Sequence, residues 1–483
     1  MLKKVGIGIG GFFLVLIVTS VIGLLLLSSF LTPEFLTKQI ESSINVRASV
    51  DKVNISLFSA LSSVEIEGIQ FAKRDSVADS GQPLSERKEL QNAVLSLGKV
   101  ELGLSFGAIL KKEFRLDKLL LIEPKIDLVL FENGSNNLSS LFLPPVTVDG
   151  EPNPSLTPEA LAKRKEAEEE AKRSEASNTS KEPFSIKTVP VSLNVGSLGI
   201  KNGDIQVTMK KTGQIIQLGG TDLVISDLDI VPDDLENHNS LKLQFSSDIL
   251  VLGAGRKESA KFILNSNGTI TPFDMKSGEV NPAIVHSVTL EEESFINGFA
   301  AFDALSGSLP VLKSANIKMD KLSQKAELKK DVSFKVGYSK GRVSFKDSPV
   351  FPTTNYDLKI EEGSWIQITD NSHLLRGNIV ASKDESDKAL KDINKSLASA
   401  KGVDSEGIKK QLLGNILQGD RIALPFQSSG NIKNPIVTLA IQLPSLTDLL
   451  KGQATKAVKD AIGKELEGKI PGGAKDALKS FGF

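Results

Sequence analysis

Apolar and polar positions alternate along most of this chain with a period of two, the signature of half-buried strands. Val53, Ile55 and Leu57 share one face, and Val64 and Ile66 share the next. Gly68 shifts the phase so that Ile69 and Phe71 carry it on, as a bulge would. Val94 to Phe106 repeats the pattern with Val100, Leu102, Leu104 and Phe106 on one side, and Gly107 to Lys112 reads as one helical turn. Ile126, Leu128 and Leu130 alternate up to Asn133-Gly134, a turn signal. After an interruption the pattern returns with Val189, Val191, Leu193 and Val195, then Ile205, Val207 and Met209, with turns predicted at Asn202-Gly203 and Thr212-Gly213. Leu223 and Ile225 follow, with Leu228 and Ile230 in shifted phase. Further strands are expected near Leu241–Phe245, Lys261–Leu264, Ile317–Met319, Phe334–Tyr338, Arg342–Phe345, Leu358–Ile360 and Ile366–Ile368, with a short helix over Ser294 to Ser306. This spacing predicts a long antiparallel meander.

Three stretches depart from that rhythm. Lys3 and Lys4 are followed by no charge until Glu34, a run long enough for a bilayer's roughly 30 Å hydrocarbon core. An uncleaved transmembrane helix is expected there, since a signal peptide has a shorter apolar run and a small-residue cleavage site. The two lysines keep its N-terminus in the cytoplasm, and the rest of the chain lies across the membrane. Thr32-Pro33-Glu34 then opens a short helix through about Ser43, with an N-cap, a first-turn Pro and a first-turn acid. Residues 144–183 begin with Pro144, Pro145, Pro152, Pro154 and Pro158, and pass into an Ala/Glu/Lys/Arg run from Ala160 to Ala176 with no apolar stripe. That is a linker, at most a solvated helix. Near the C-terminus, residues 383–418 become helical through Leu390, Ile393, Leu397, Leu412, Leu413, Ile416 and Leu417. A hairpin follows (Ile422–Phe426, a turn at Gly430, then Val437, Leu439 and Ile441), and an amphipathic helix begins after Ser445. That last helix either caps the sheet or lies on a membrane surface.

The expected organisation is an anchor (1–32), a β module with short helices (33–143), the linker (144–183), an extended antiparallel sheet (184–382), a helical segment with a closing hairpin (383–443) and an amphipathic tail (444–483). The fold class is mainly β: a curved sheet whose apolar side forms a groove, between an N-terminal membrane helix and C-terminal amphipathic helices.

Composition narrows the function. Among 483 residues, 58 Lys+Arg balance 59 Asp+Glu, so no basic face invites nucleic acid. Without cysteine there is neither a disulfide framework nor a thiolate metal site. One Trp and two Tyr against 23 Phe argue against a carbohydrate-binding surface. The three histidines, His238, His286 and His373, lie far apart, and no hydrolase or zinc-protease motif occurs. The dense acids Asp227, Asp229, Asp233 and Asp234 read as a solvated loop around Pro232. No enzyme, cofactor or metal is expected.

In two regions the order of motifs is familiar. Residues 43–72 give a strand, a turn containing Phe58 and a second strand. Residues 100–141 give a strand, a leucine-bearing turn and two more strands ending Gly134…Asn137-Leu138, with Pro124 between them. This order resembles the N-terminal module of the AsmA family, whose members often have Trp where this chain has Leu138. The strand, Asn-Gly, strand, Thr-Gly, strand cadence of residues 195–230 is similar to the family as well, as is the closing Gly430…Asn434-Pro435. The resemblance implies a single-pass protein of the bacterial inner membrane with most of its chain in the periplasm. Its apolar β-groove would take phospholipid acyl chains on their way to the outer membrane, with envelope proteins as possible partners. The candidate groove residues are Val53, Ile55, Leu57, Val100, Leu102, Leu104, Ile126, Leu128, Leu130, Val191, Leu193 and Val195, their direction inferred from period alone. The alternative is a periplasmic scaffold or regulator of outer-membrane protein assembly, with its β core filled and no lipid conduit.

Overall fold

The computed structural model describes residues 32–56, 62–74, 90, 92–104, 113–145, 147–148, 151–160, 162–163, 166, 184–297, 321, 324–399, 404–432, 434–441, 444–452 and 455. The expected anchor, Leu57 and the turn containing Phe58, Phe106 and the turn at 107–112, the strand at 317–319, most of the charged run after Ala160 and most of the amphipathic tail lie outside them. Among the described residues no helix is long and apolar enough to cross a membrane. The chain divides into two compact units, residues 1–258 with 264–283, and residues 259–263 with 284–483.

The first unit opens with helix α1 (Pro33–Ser43), capped as its sequence predicts: Thr32 Oγ1 accepts from Phe35 N at 3.2 Å. Strands β1 (Val46–Ser49) and β2 (Lys52–Ser56) both pair with β3 (Ser62–Lys73), which continues to β4 (Leu95–Leu104) and β5 (Glu113–Leu130), all antiparallel. The chain then leaves the sheet through a small hairpin, β6 (Thr147–Val148) and β7 (Glu151–Pro152). It returns as β8 (Ser192–Met209), which lies parallel to β5. Strands β9 (Gln214–Ile230) and β10 (Asn239–Leu252) extend the sheet antiparallel. The expected all-antiparallel meander is therefore corrected to a mixed sheet. The connection from Phe131 to Val191 is long enough to carry the chain back to the starting end of β5, which a hairpin cannot do.

A second correction concerns Asn202-Gly203. They do not reverse the chain; they kink one long strand. Asn202 has the expected left-handed backbone (φ 52°), yet β8 runs straight through, held by β5 on one side and β9 on the other. The hairpin forms only at Thr212-Gly213, where Gly213 has φ 68°. At the far end of β5, Asn137 takes the place of a neighbouring strand: its Oδ1 accepts from Val129 N (2.8 Å) and its Nδ2 donates to Asp127 O (2.7 Å).

The second unit contains part of β11 (Glu258–Phe273) and of β12 (Val280–Leu290), followed by β13 (Phe295–Asn297) and β14 (Lys325–Glu327). Phe295–Asn297 is a strand paired with both β11 and β14, where the sequence suggested the start of a helix over Ser294 to Ser306; residues 298–306 lie outside the described ones. Strands β15 (Val332–Ser339), β16 (Arg342–Phe345), β17 (Val350–Pro352), β18 (Tyr356–Ile360), β19 (Trp365–Gln367) and β20 (Ser372–Ala381) follow. After them come helices α2 (Lys383–Ala398) and α3 (Ser405–Leu413), and strands β21 (Leu417–Gln418), β22 (Arg421–Asn431) and β23 (Asn434–Leu439). The closing hairpin turns after Asn431, which pairs with Asn434; Gly430 stays in the strand opposite Pro435. The helices supply Ile393, Leu397, Ile408, Leu412 and Leu413 to a core that also buries Ile379, Ile422 and Leu424. Leu446 is buried in that core and Leu449 and Leu450 pack on it, so the start of the tail helix caps this unit.

Candidate functional site

One face of the first unit's sheet is apolar in rows that run across the strands. Val64, Leu102, Leu119, Leu198, Ile225 and Leu243 stand side by side over β3, β4, β5, β8, β9 and β10. Ile66, Val100, Leu121, Ile200, Leu223 and Phe245 form the next row. Phe71, Leu95, Ile126, Ile205, Leu218 and Ile249 form a third, and Leu128, Val207, Ile216 and Val251 a fourth. The opposite face of β5, β8 and β9 is mixed: Gln217 Nε2 donates to Gln206 Oε1 at 2.9 Å, and Gln206 Nε2 to Asp127 Oδ1 at 3.4 Å, while Leu120, Ile215 and Val224 are buried on it.

Strict alternation over strands this long would not keep these rows on one face. Between the second and third rows, apolar residues are spaced by five in β5 (Leu121, Ile126), β8 (Ile200, Ile205) and β9 (Leu223, Leu218). An odd spacing would invert the face. Residues with left-handed backbone absorb the extra position: Glu123 (φ 52°), Asn202 (52°) and Gly220 (55°), with Gly68 (65°) in β3. Asp222 Oδ1 steadies the crease by accepting from Asn202 N at 2.7 Å. A second crease at Asp227 (φ 51°) returns Leu228 and Ile230 to the apolar side after Ile225, opposite Val195 and Leu193.

The two halves of this face differ in cover. Over β3, β4 and the first part of β5 it is core: Val64, Val100, Leu102, Leu119 and Leu121 are all buried, beneath Leu36 and Ile40 of α1 and Leu141. Glu41 ties α1 down by accepting from Ala48 N (3.0 Å), with Arg74 Nη2 at 3.8 Å. Across β8, β9 and β10 no side chain of the four rows is buried, and Leu223 remains 40 % exposed.

The expected groove residues divide accordingly. Val100 and Leu102 are packed core. Val53, Ile55, Ile126 and Val195 are half-buried at the margin of that core. Leu128 and Leu130 are half-buried on the open part. Leu193 packs with Ile186, Ile230 and Leu235, and Val191 is half-buried just before β8. Leu104 ends β4, its side chain outside the description, as is all of Leu57. Sequence reading passed over Ile216, Leu218, Phe245, Ile249 and Val251, which belong to the same face. Phe245 follows Leu241 and Leu243 in clear alternation, but Ile216, Ile249 and Val251 lie in unbroken apolar runs in which period two assigns no face.

Among the described residues no group of acidic and histidine side chains could hold a metal ion. His238 Nδ1 lies 2.6 Å from Asp229 Oδ2 in an exposed pair whose hydrogen bond raises the imidazole pKa. His373 is buried, with Nε2 2.7 Å from Ser428 Oγ and Nδ1 2.9 Å from Gly430 O. Among the described residues neither pair has the third member of a triad: His238 has an acid and no hydroxyl or thiol partner, His373 a hydroxyl and a backbone carbonyl in place of an acid. No protein-family model, curated protein or solved structure matches this chain.

Proposed function

We propose that this is an inner-membrane-anchored, periplasmic AsmA-like protein whose open apolar face takes phospholipid acyl chains and assists lipid transport to, or assembly of, the outer membrane. The observation that carries the reading is the less covered half of the face: aliphatic rows across β8, β9, β10 and the far end of β5, kept on one side by two creases, with no row side chain of β8, β9 or β10 buried. Three strand intervals of about 4.8 Å make that strip roughly 14 Å wide. Each methylene withdrawn from water is worth about 0.8 kcal/mol, so a chain of about fifteen carbons resists crossing water by on the order of 12 kcal/mol. A sheet that shelters the chain lowers that barrier without a catalytic group. The polar headgroup needs no site of its own.

The test is lipid retained by the purified full chain, measured by extraction and mass spectrometry, against a variant carrying Val207→Glu, Ile216→Glu and Val251→Glu. The reading expects phospholipid per chain to fall several-fold with the melting temperature nearly unchanged. Equal retention would leave the membrane anchor as the source of the lipid and favour the scaffold reading, for which the filled core beneath α1 already provides a rigid module.

A further inference from the structure

The open face has an end, and the end is made by a separate piece of chain. Just before β8, residues 184–189 cross the sheet as a strap containing one short turn, Ile186–Thr188. Ile186 drops onto the apolar side and is 3 % exposed, against Ile230 (1 %) and Leu235 (3 %), with Leu193, Leu228 and Phe273 around them. Leu193 and Leu228 belong to the apolar side of β8 and β9, so the strap seals the strip where those strands meet the 231–238 loop.

The strap is seated on the turn at 274–279. Ile186 N donates to Gly278 O at 2.8 Å, Ser185 Oγ to Ser277 O at 2.6 Å and Lys187 Nζ to Lys276 O at 2.8 Å. Gly278 (φ 71°) is shaped for this seat, since a Cβ there would lie 2.5 Å from Ser185 Oγ. Three hydrogen bonds, the inserted Ile186 and the partly buried Val189 hold a segment that contributes no ladder of its own beyond the Ser185–Glu279 bridge. Such a contact opens locally at far lower cost than the strands it covers.

We infer that the 184–189 strap is the closable end of the apolar strip. Seated, Ile186 covers Leu193 and stops an acyl chain short of it; lifted, it lets the chain run on over that end. The inference rests on the lipid reading above for what passes, but not for the motion itself, and the two can be tested apart.

Because the chain has no cysteine, a single introduced thiol reports alone. In the full chain, Ile186→Cys should react with a maleimide at least tenfold faster than Ile230→Cys, and Gly278→Ala should speed the first without changing the second. Equal protection of the two thiols would overturn the strap's movement. Passage is read by a photo-crosslinking residue at Leu193 or at Val207, with radiolabelled phospholipid, in a Ser185→Cys/Glu279→Cys background. Oxidation should cut capture at Leu193 at least fivefold, spare capture at Val207, and be reversed by reductant. Capture at Leu193 that ignores oxidation would overturn the gate. A mobile strap with no capture at either position would sink the lipid reading, and with it the claim about what the strap controls.

Discussion

At the scale of single residues, one alternation produces two different environments. Leu102 and Val207 sit in the same kind of row on the same face, and each is flanked by polar neighbours in sequence. Leu102 is 7 % exposed beneath α1 and its neighbours, whereas Val207 is only half-buried. A charge at the first must be desolvated inside a packed core; at the second it can stay wet. Leu102→Glu is therefore expected to unfold the first unit or cost about 3 kcal/mol or more, and Val207→Glu less than about 1 kcal/mol, as chemical denaturation of the two variants will read. His286 gives a pH test. Burial holds its imidazole below the ordinary pKa, so the folded protein binds a proton less readily than the unfolded chain. The contribution of His286 to stability is full above about pH 6.5 and is lost as pH falls below it. His286→Phe should flatten that decline in thermal melts taken from pH 7.5 to 5.

At the scale of elements, the strands of the second unit were legible wherever a short apolar alternation ended in Gly, Asn or Pro: the strand expected at Arg342–Phe345 matches β16 end to end. The helices α2 and α3 were legible from leucine spacing, but the helix expected through residue 418 ends at Leu413, and Leu417, in β21, instead pairs with Ile422. What could not be read was the pairing. Nothing local to β5 or β8 states that they run parallel, because that depends on where a long connection returns the chain. Asn202 misled for a related reason: a left-handed residue serves a turn and a crease equally, and only the neighbouring strands decide between them. The sequence left the tail helix with two readings, and the buried Leu446 resolves its first turns as a cap. Leu446→Ala should cost about 2–4 kcal/mol in the second unit's unfolding, whereas a helix lying only on a membrane would lose almost nothing in detergent.

At the scale of the molecule, the site is a surface, and surfaces are what sequence describes least well. Period two assigned residues to faces; it could not say that helix α1 covers one half of a face and leaves the other bare, nor that Ile186 closes its end. The candidate residues accordingly straddled both halves, Val100 and Leu102 on the packed side, Leu128 and Leu130 on the bare one. The central claim is that lipid tails occupy the bare side alone. Photo-crosslinking residues placed in cells at Val207, Ile216 and Phe245, and at their polar-face neighbours Thr208, Gln217 and Gln244, address it directly with radiolabelled phospholipid. Label on the first three and not on the second three is the predicted result; label shared equally between the faces, or absent from both, contradicts it.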